Sequence, residues 1–358
     1  MAAGGNALLD WRRLLRSLSF SNIGIIYVWA AAIVVFSITT PDLFPTTQTV
    51  RAVLNNYSLA ALAALAVLVP MISGAIDASV GGNISLASVV CARLLVSTHL
   101  SIPVVVALTL AVGAVIGLAN VLVVVVLQIP PIIGTLAVWL IADALSSAVS
   151  GNVIISSARV SGSFATDLSQ ASWHNITIPV LFVLVLTILL GVVLTQTPAG
   201  RYTYAVGLNR DVARNAGIRV KLVQVRALVA GGMLGAFTGI VFTSQIAAAT
   251  PRSGDSYLLP AFAAVFLGAT QFRAKRFNAW GTILAVFMLG TGQYGLILAG
   301  APGWTPNVFQ GIALIAAIGV SQFRRSHLRR PRSLRFREKA SSNGRPPSPG
   351  APGAVSPS

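Results

Sequence analysis

The sequence predicts an all-α membrane protein, a polytopic bundle of about ten transmembrane helices with both termini on the cytoplasmic side. Three observations carry this reading. Only 9% of the 358 residues are charged and the mean hydropathy is +0.80, far from the composition of a soluble domain. Apolar runs long enough to cross a bilayer recur along the chain. The 25 Lys and Arg gather at the two ends and in alternate loops, as the positive-inside rule requires.

The first run, 23–39, follows Arg12, Arg13 and Arg16. That layout resembles a signal peptide, but no Ala-x-Ala-like site closes it and further spans follow, so it reads as a retained first helix. Residues 1–22 form a cytoplasmic N-terminal segment, and 23–323 form one transmembrane domain. Further spans fall at 57–73, 80–97, 102–127, 132–149, 178–195, 224–246, 257–270, 279–299 and 306–322. The eighth is short, and the fourth is long enough to tilt. With the N-terminus inside, 21 basic residues fall on the cytoplasmic side and three, Arg51, Arg159 and Arg252, outside; Arg93 lies within a span. Residues 150–177 make the longest external loop, with room for a short surface helix. Residues 324–358 form a basic tail rich in Pro, Gly and Ser, expected to be disordered beyond about Lys339. Spans 2–5 and 7–10 enter from opposite faces, the arrangement of an inverted repeat.

Composition also excludes chemistry. A formal charge of +17 could mark a nucleic-acid binder, but juxtamembrane cations that set topology and meet anionic lipid account for it, so no nucleic-acid partner is expected. The single cysteine, Cys91, sits in an apolar span and reads as a buried thiol. His99, His174 and His327 lack metal-ligand spacing, and neither a Walker A motif nor a Gly-x-Ser-x-Gly elbow occurs. The chain therefore reads as neither an enzyme nor a cofactor binder.

Four groups of residues stand out. Gly74, Asp77, Ser79, Gly81 and Asn83 join spans 2 and 3, with a glycine and serine density that predicts a broken helix. Asp77 reads there as an N-cap for the third span and also as part of a hinge or polar path. Asp143 lies inside a span and calls for a partner, with Arg93 as a candidate. Gly231, Gly235 and Gly239 form a small-residue face for helix packing, as do Gly113 and Gly117. In the central cytoplasmic loop, Asn209 or Asp211 caps a short helix that Gly217 ends. That helix reads as a docking knob for a cytoplasmic partner, or as a topology anchor.

Two of these segments, taken with the turn Gln128-Ile129-Pro130-Pro131, carry a resemblance to a known family. Gly74-Ala75-Ile76-Asp77-Ala78-Ser79-Val80-Gly81 resembles Gly-Gly-Ile-Asp-Leu-Ser-Val-Gly. Pro130-Pro131-Ile132-Ile133-Gly134-Thr135-Leu136 resembles Pro-Pro-Phe-Ile-x-Thr-Leu. Gly200-Arg201 through Gly207-x-Asn209, then Ala213-Arg214-x-x-Gly217-Ile218, resembles a cytoplasmic coupling segment. Together they look like the permease subunit of bacterial ABC sugar importers of the ribose, xylose, arabinose and galactose type. The resemblance covers roughly residues 50–322.

The resemblance implies a multi-pass protein of the bacterial inner membrane, paired with a second permease copy and surrounded by membrane lipid. A cytoplasmic ATPase subunit would bind ATP-Mg, and an extracytoplasmic solute-binding protein would deliver the sugar. Asn209, Arg210, Asp211, Ala213, Arg214 and Gly217 would contact the ATPase. The family's Gly-Tyr-Glu-Leu-Asp-Ala-Ile-Ala-Ala-Val appears here as Ser256 to Val265 with both carboxylates gone. A polyol or related polar metabolite therefore stays open beside a sugar. The rival class is an ion-coupled secondary transporter, which would need Asp143 as its coupling acid.

Overall fold

A computed structural model describes residues 20–165, 168–169, 172–173, 176–270 and 276–328. The expected roles of Arg12, Arg13, Arg16, Arg273 and Lys275, of His174, and of the tail beyond Leu328 lie outside these residues. The described chain is helical: α1 Phe20–Thr39, α2 Thr47–Ile72, α3 Val80–Ser97, α4 Ile102–Val121 with a π-turn Leu122–Val126, α5 Pro131–Ser150 and α6 Ile178–Gln196. It continues as α7 Pro198–Leu208, α8 Arg210–Asn215, α9 Val220–Ile246, α10 Asp255–Gly268, α11 Ala279–Leu298 and α12 Thr305–Leu328. Seven helices are long and apolar enough to cross a membrane: α2, α3, α4 with its π-turn, α5, α6, α9 and α11. At 14 residues, α10 is shorter than the hydrocarbon core demands.

Helix α2 is the axis of the bundle. Thr46 caps it, its hydroxyl accepting from Thr49 N at 3.2 Å. From Leu59 to Leu68 the helix is buried on every side, as an all-round apolar helix must be. Its alanines leave little side-chain bulk, so neighbouring backbones come close. The Gly231, Gly235 and Gly239 face does what its spacing predicts, but against two helices. A Cβ at Gly231 would meet Pro70 of α2, and one at Gly235 or Gly239 would meet Asn83, Ile84 and Ala87 of α3. The adjacent Gly232 joins Gly113 and Gly117 in a separate close approach between α9 and α4.

Alternate connections gather at opposite ends of the bundle. At one end Ile155 pairs with Ala249 in an isolated β-bridge, and Arg159 donates to the carbonyls of Leu95, Thr98 and Leu100. The loop after α5 carries a short helical stretch over 158–165, with a π-helix at Val160–Phe164, where the sequence leaves room for a short helix, and a two-residue antiparallel pair, Ser172–Trp173 with Ile176–Thr177. At the other end the turn after α4, the segment after α2 and the α7–α8 region converge. Tyr204 Oη donates to Phe277 O at 2.6 Å and Arg276 lies over the Tyr204 ring, which brings the α10–α11 connection to the same end.

Candidate functional site

The chain between α2 and α3 is broken, as its glycines and serines predict. Ser73 ends α2, its hydroxyl donating to Pro70 O at 2.7 Å. Gly74 then turns with φ +80°, a conformation that disfavours any side chain. Asp77 is fully buried. Its Oδ1 accepts from Ser79 N (2.9 Å), Ser79 Oγ (2.6 Å) and Asn120 Nδ2 (3.1 Å). Asn120 also donates to Ser79 Oγ at 2.7 Å. Ser79, not Asp77, occupies the N-cap of α3, and no side chain caps that helix; the bonds from Ser79 to Asp77 instead brace the segment just ahead of it. Its Oδ2 has no hydrogen-bond partner among the described residues. Asn83 ties the first turns of α3 to α9, donating from Nδ2 to Gly232 O at 2.7 Å.

Thr135 of α5 serves the same break. Its hydroxyl accepts from Ala78 N at 2.9 Å and lies 3.3 Å from Ile76 O. The turn that delivers it is tight: Gln128 takes φ 57°, and Pro130 and Pro131 open α5 with preset φ. Thr135 appears in the sequence only as part of the Pro130–Leu136 motif, and Asn120 does not stand out as a site residue. The only signal for Asn120 is an amide inside an otherwise apolar run.

The short helix α8 forms as its capping residues predict. Asn209 accepts through Oδ1 from Asp211 N (3.0 Å) and Val212 N (3.1 Å). Asp211 occupies the first turn and Arg214 the last, both complementing the helix dipole. Gly217, at φ +79°, ends the segment. Ala213 packs inward with Val206 and Val220, while Asp211 and Arg214 stay on the surface as a loose 3.9 Å pair.

Arg210 reaches back to the break. Its Nη2 donates to Gly74 O at 3.1 Å. Gln224, its amide oxygen turned toward the guanidinium, accepts from Nη2 at 2.9 Å and Nε at 3.2 Å. Gly207 backs this contact, since a Cβ there would overlap the Ile72 carbonyl. Three sequence-distant segments, 74–81, 130–136 and 200–218, thus meet at one point. Beside it lies a groove of about 750 Å³ lined by Gln128, Pro130, Pro131, Arg210, Arg214 and Lys221.

A second polar cluster lies deeper. Asp143, about 18 Å along α5 from Pro131, pairs through Oδ2 with Arg252 Nε at 2.8 Å. Asp255 Oδ2 lies 3.9 Å from the same nitrogen, and Trp139 Nε1 donates to Asp255 Oδ1 at 2.9 Å. Arg93, the partner suggested by sequence, is exposed elsewhere on α3. Arg252 lies in the turn between α9 and α10, the loop the sequence assigns it to, and its side chain is largely exposed. In the structure Gly254 N donates to Ser85 Oγ at 3.0 Å, which draws 250–254 back into the bundle. Asp143 therefore sits in an ion pair through Oδ2, while its Oδ1 has no hydrogen-bond partner among the described residues. No group of three or more potential metal ligands occurs among the described residues.

The family model for the permease component of branched-chain amino acid transport systems matches residues 49–318. The chain belongs to this permease family. The ribose import permease protein of Bacillus subtilis (strain 168) is 31% identical over 288 residues, covering 80% of this chain and 88% of the relative. The autoinducer 2 import system permease protein of Photorhabdus laumondii subsp. laumondii is 30% identical over 275 residues, 76% of this chain and 80% of that one. The L-arabinose ABC transporter permease protein of Azospirillum brasilense is 26% identical over 321 residues, 89% and 91%. No solved structure is matched. This permease is accordingly a multi-pass inner-membrane protein and a transport subunit, not itself an enzyme. ABC importer permeases work with an ATPase and a substrate-binding protein.

Proposed function

We propose that this permease translocates a small hydroxyl-rich solute, a monosaccharide first among them, inward across the cytoplasmic membrane. Relatives named for ribose, galactose and arabinose import support the solute class. The bundle crosses the membrane about ten times with both termini cytoplasmic; α1, α10 and α12 complete the seven long spans. Two copies enclose the path, within membrane lipid. Asn209, Arg210, Asp211, Ala213, Arg214 and Gly217 form the face that meets the ATPase, which alone binds ATP-Mg. Gly74, Asp77, Ser79, Gly81 and Asn83 form the hinge that the motion reaches.

One observation carries the reading: the Arg210–Gly74 hydrogen bond couples a capped surface helix directly to the break between α2 and α3. A push on α8 has a rigid route into the bundle, because Gly207 and Ile72 leave no slack between them. The exposed, capped helix offers an ATPase a preformed knob, and the adjoining groove offers it a cationic wall.

The test is purification of the tagged chain from native membranes in a detergent that preserves ABC complexes. Recovery of an ATPase, and loss of that ATPase on Arg210→Glu with Arg214→Glu, is the expected result. Repeated recovery of intact permease without any ATPase would overturn it.

A further inference from the structure

A cavity of about 270 Å³ opens between α2, α10, α11 and α12. Its polar lining comes from Asn56 and Tyr57 of α2, Ser256 and Tyr257 of α10, Gln293 of α11, and Asn307 and Gln310 of α12. Gln293 Nε2 donates to Gln310 Oε1 at 3.1 Å and joins two of the walls. The side chains of Asn56, Tyr57, Tyr257 and Asn307 have no hydrogen-bond partner among the described residues, and no charged side chain lines the cavity. The tyrosines are held in place. Gly290 abuts the Tyr57 ring, where a Cβ would come within 2.6 Å, and Tyr257 packs edge-on against Phe242.

This lining selects a chemical class. Amides and phenols both donate and accept, as vicinal hydroxyls require. Two aromatic rings offer apolar faces to the C–H side of a small ring. The lining offers an ion no counter-charge, which disfavours a charged solute over a neutral one. The position also fits a path. Gln293 is five residues from the end of α11 and Asn307 two from the start of α12, so the cavity lies toward the end of the bundle opposite α8. Helix α10 begins inside the bundle, and helices that start at mid-depth mark solute sites in transporters.

We propose that this cavity holds the solute on the outer half of its path, and that the solute it takes is uncharged, polyhydroxylated and of monosaccharide size. The proposal rests on the importer reading above. Tyr57 and Tyr257 flank the ring, and Asn56, Asn307 and the Gln293–Gln310 pair exchange hydrogen bonds with its hydroxyls.

The chain provides a clean background for the test, because its one cysteine, Cys91, is fully buried. Asn307→Cys is introduced into the permease, which is assembled with its ATPase and solute-binding protein in proteoliposomes. A membrane-impermeant methanethiosulfonate is the probe, and D-ribose, L-arabinose and D-galactose are supplied in turn. The expected result is labelling of Asn307→Cys but not of wild type. A transported sugar, at five times its half-protecting concentration, slows that labelling about sixfold by mass action. Adding Tyr257→Phe raises the half-protecting concentration by up to about tenfold, the worth of one hydrogen bond. Uptake of a sugar with no protection, or an unreactive Asn307→Cys in a transporting complex, would overturn the site alone. A wild-type complex that takes up none of the three sugars, together with an Asn307→Cys complex whose labelling none of them slows, would overturn the importer reading with it.

Discussion

Gly81 and Gly254 meet backbone to backbone where two helices begin. Gly81 lies in the first turn of α3 and Gly254 immediately precedes α10. A Cβ on Gly254 would overlap the Gly81 carbonyl oxygen, while a Cβ on Gly81 would sit 3.4 Å from the Gly254 oxygen, an ordinary contact. An inverted repeat of spans 2–5 and 7–10 would pair the third span with the eighth, and these are the two helices that start inside the bundle. Their junction is what makes irregular backbone tolerable at this depth, because it is buried in protein.

The asymmetry of that contact is testable. Gly254→Ala must move backbone and is expected to cost about 2 kcal/mol, in the range of overpacking. Gly81→Ala is expected to cost less than about 1 kcal/mol. Thermal unfolding of the two variants in one detergent, followed by tryptophan fluorescence, checks the ranking. Equal shifts would contradict the geometry.

Arg210 and Arg214 lie one turn apart on the same short helix, yet their roles within the chain differ. Arg214 makes only a loose exposed pair with Asp211, so Arg214→Ala should change stability by less than about 0.5 kcal/mol. Arg210→Ala removes the bonds to Gly74 and Gln224. It is expected to lower sugar uptake about tenfold while the complex still hydrolyses ATP, since a single charge-assisted bond is worth about that factor. Paired uptake and hydrolysis assays decide it; parallel loss of both would point to failed docking instead.

Thr135 is a joint between α5 and the break. Thr135→Val keeps the shape but leaves Ala78 N without its acceptor, at an expected cost of about 1–3 kcal/mol. Thr135→Ser restores the hydroxyl and should recover most of that loss. A Ser variant no more stable than Val would show that the methyl, rather than the hydrogen bond, is what matters.

Arg252 holds Asp143, which is only 5% exposed. Arg252→Ala leaves that carboxylate buried and unpaired. The expected cost is about 2 kcal/mol, below the ~3–5 kcal/mol of a fully buried pair because the guanidinium is largely exposed. Asp143→Asn in the same chain should return most of the loss. A double variant as unstable as Arg252→Ala would mean that the two residues are not coupled.

Much of this protein was legible from local pattern. Helix α8 needed only Asn209 and Gly217, because capping is settled within a few residues. The break at 73–79 announced itself through Gly74 and Ser79 for the same reason. Asn120, Thr135 and Arg252 were not legible as partners of Asp77, Ala78 and Asp143. Each contact spans more than 40 residues, and the apolar runs between them carry no record of which helix faces give way to a polar group. Arg252 sits in the loop the sequence assigns it to, but loop composition carries no sign that its guanidinium reaches Asp143.

By itself the sequence determined where the chain is apolar enough to enter lipid, which loops carry the cations, where helices stop, and which family the chain joins. These are properties of short windows, set by transfer from water and by the backbone freedom of Gly and Pro. Tertiary structure alone decided that three distant segments meet at Gly74, that α10 starts inside the bundle against Gly81, and that amides from three helices and two tyrosines face one cavity. The reason lies in the packing. In a bundle of similarly apolar helices, hydrophobicity does not choose neighbours; close backbone approach at glycines and a few buried hydrogen bonds do, and both exist only once the helices are side by side.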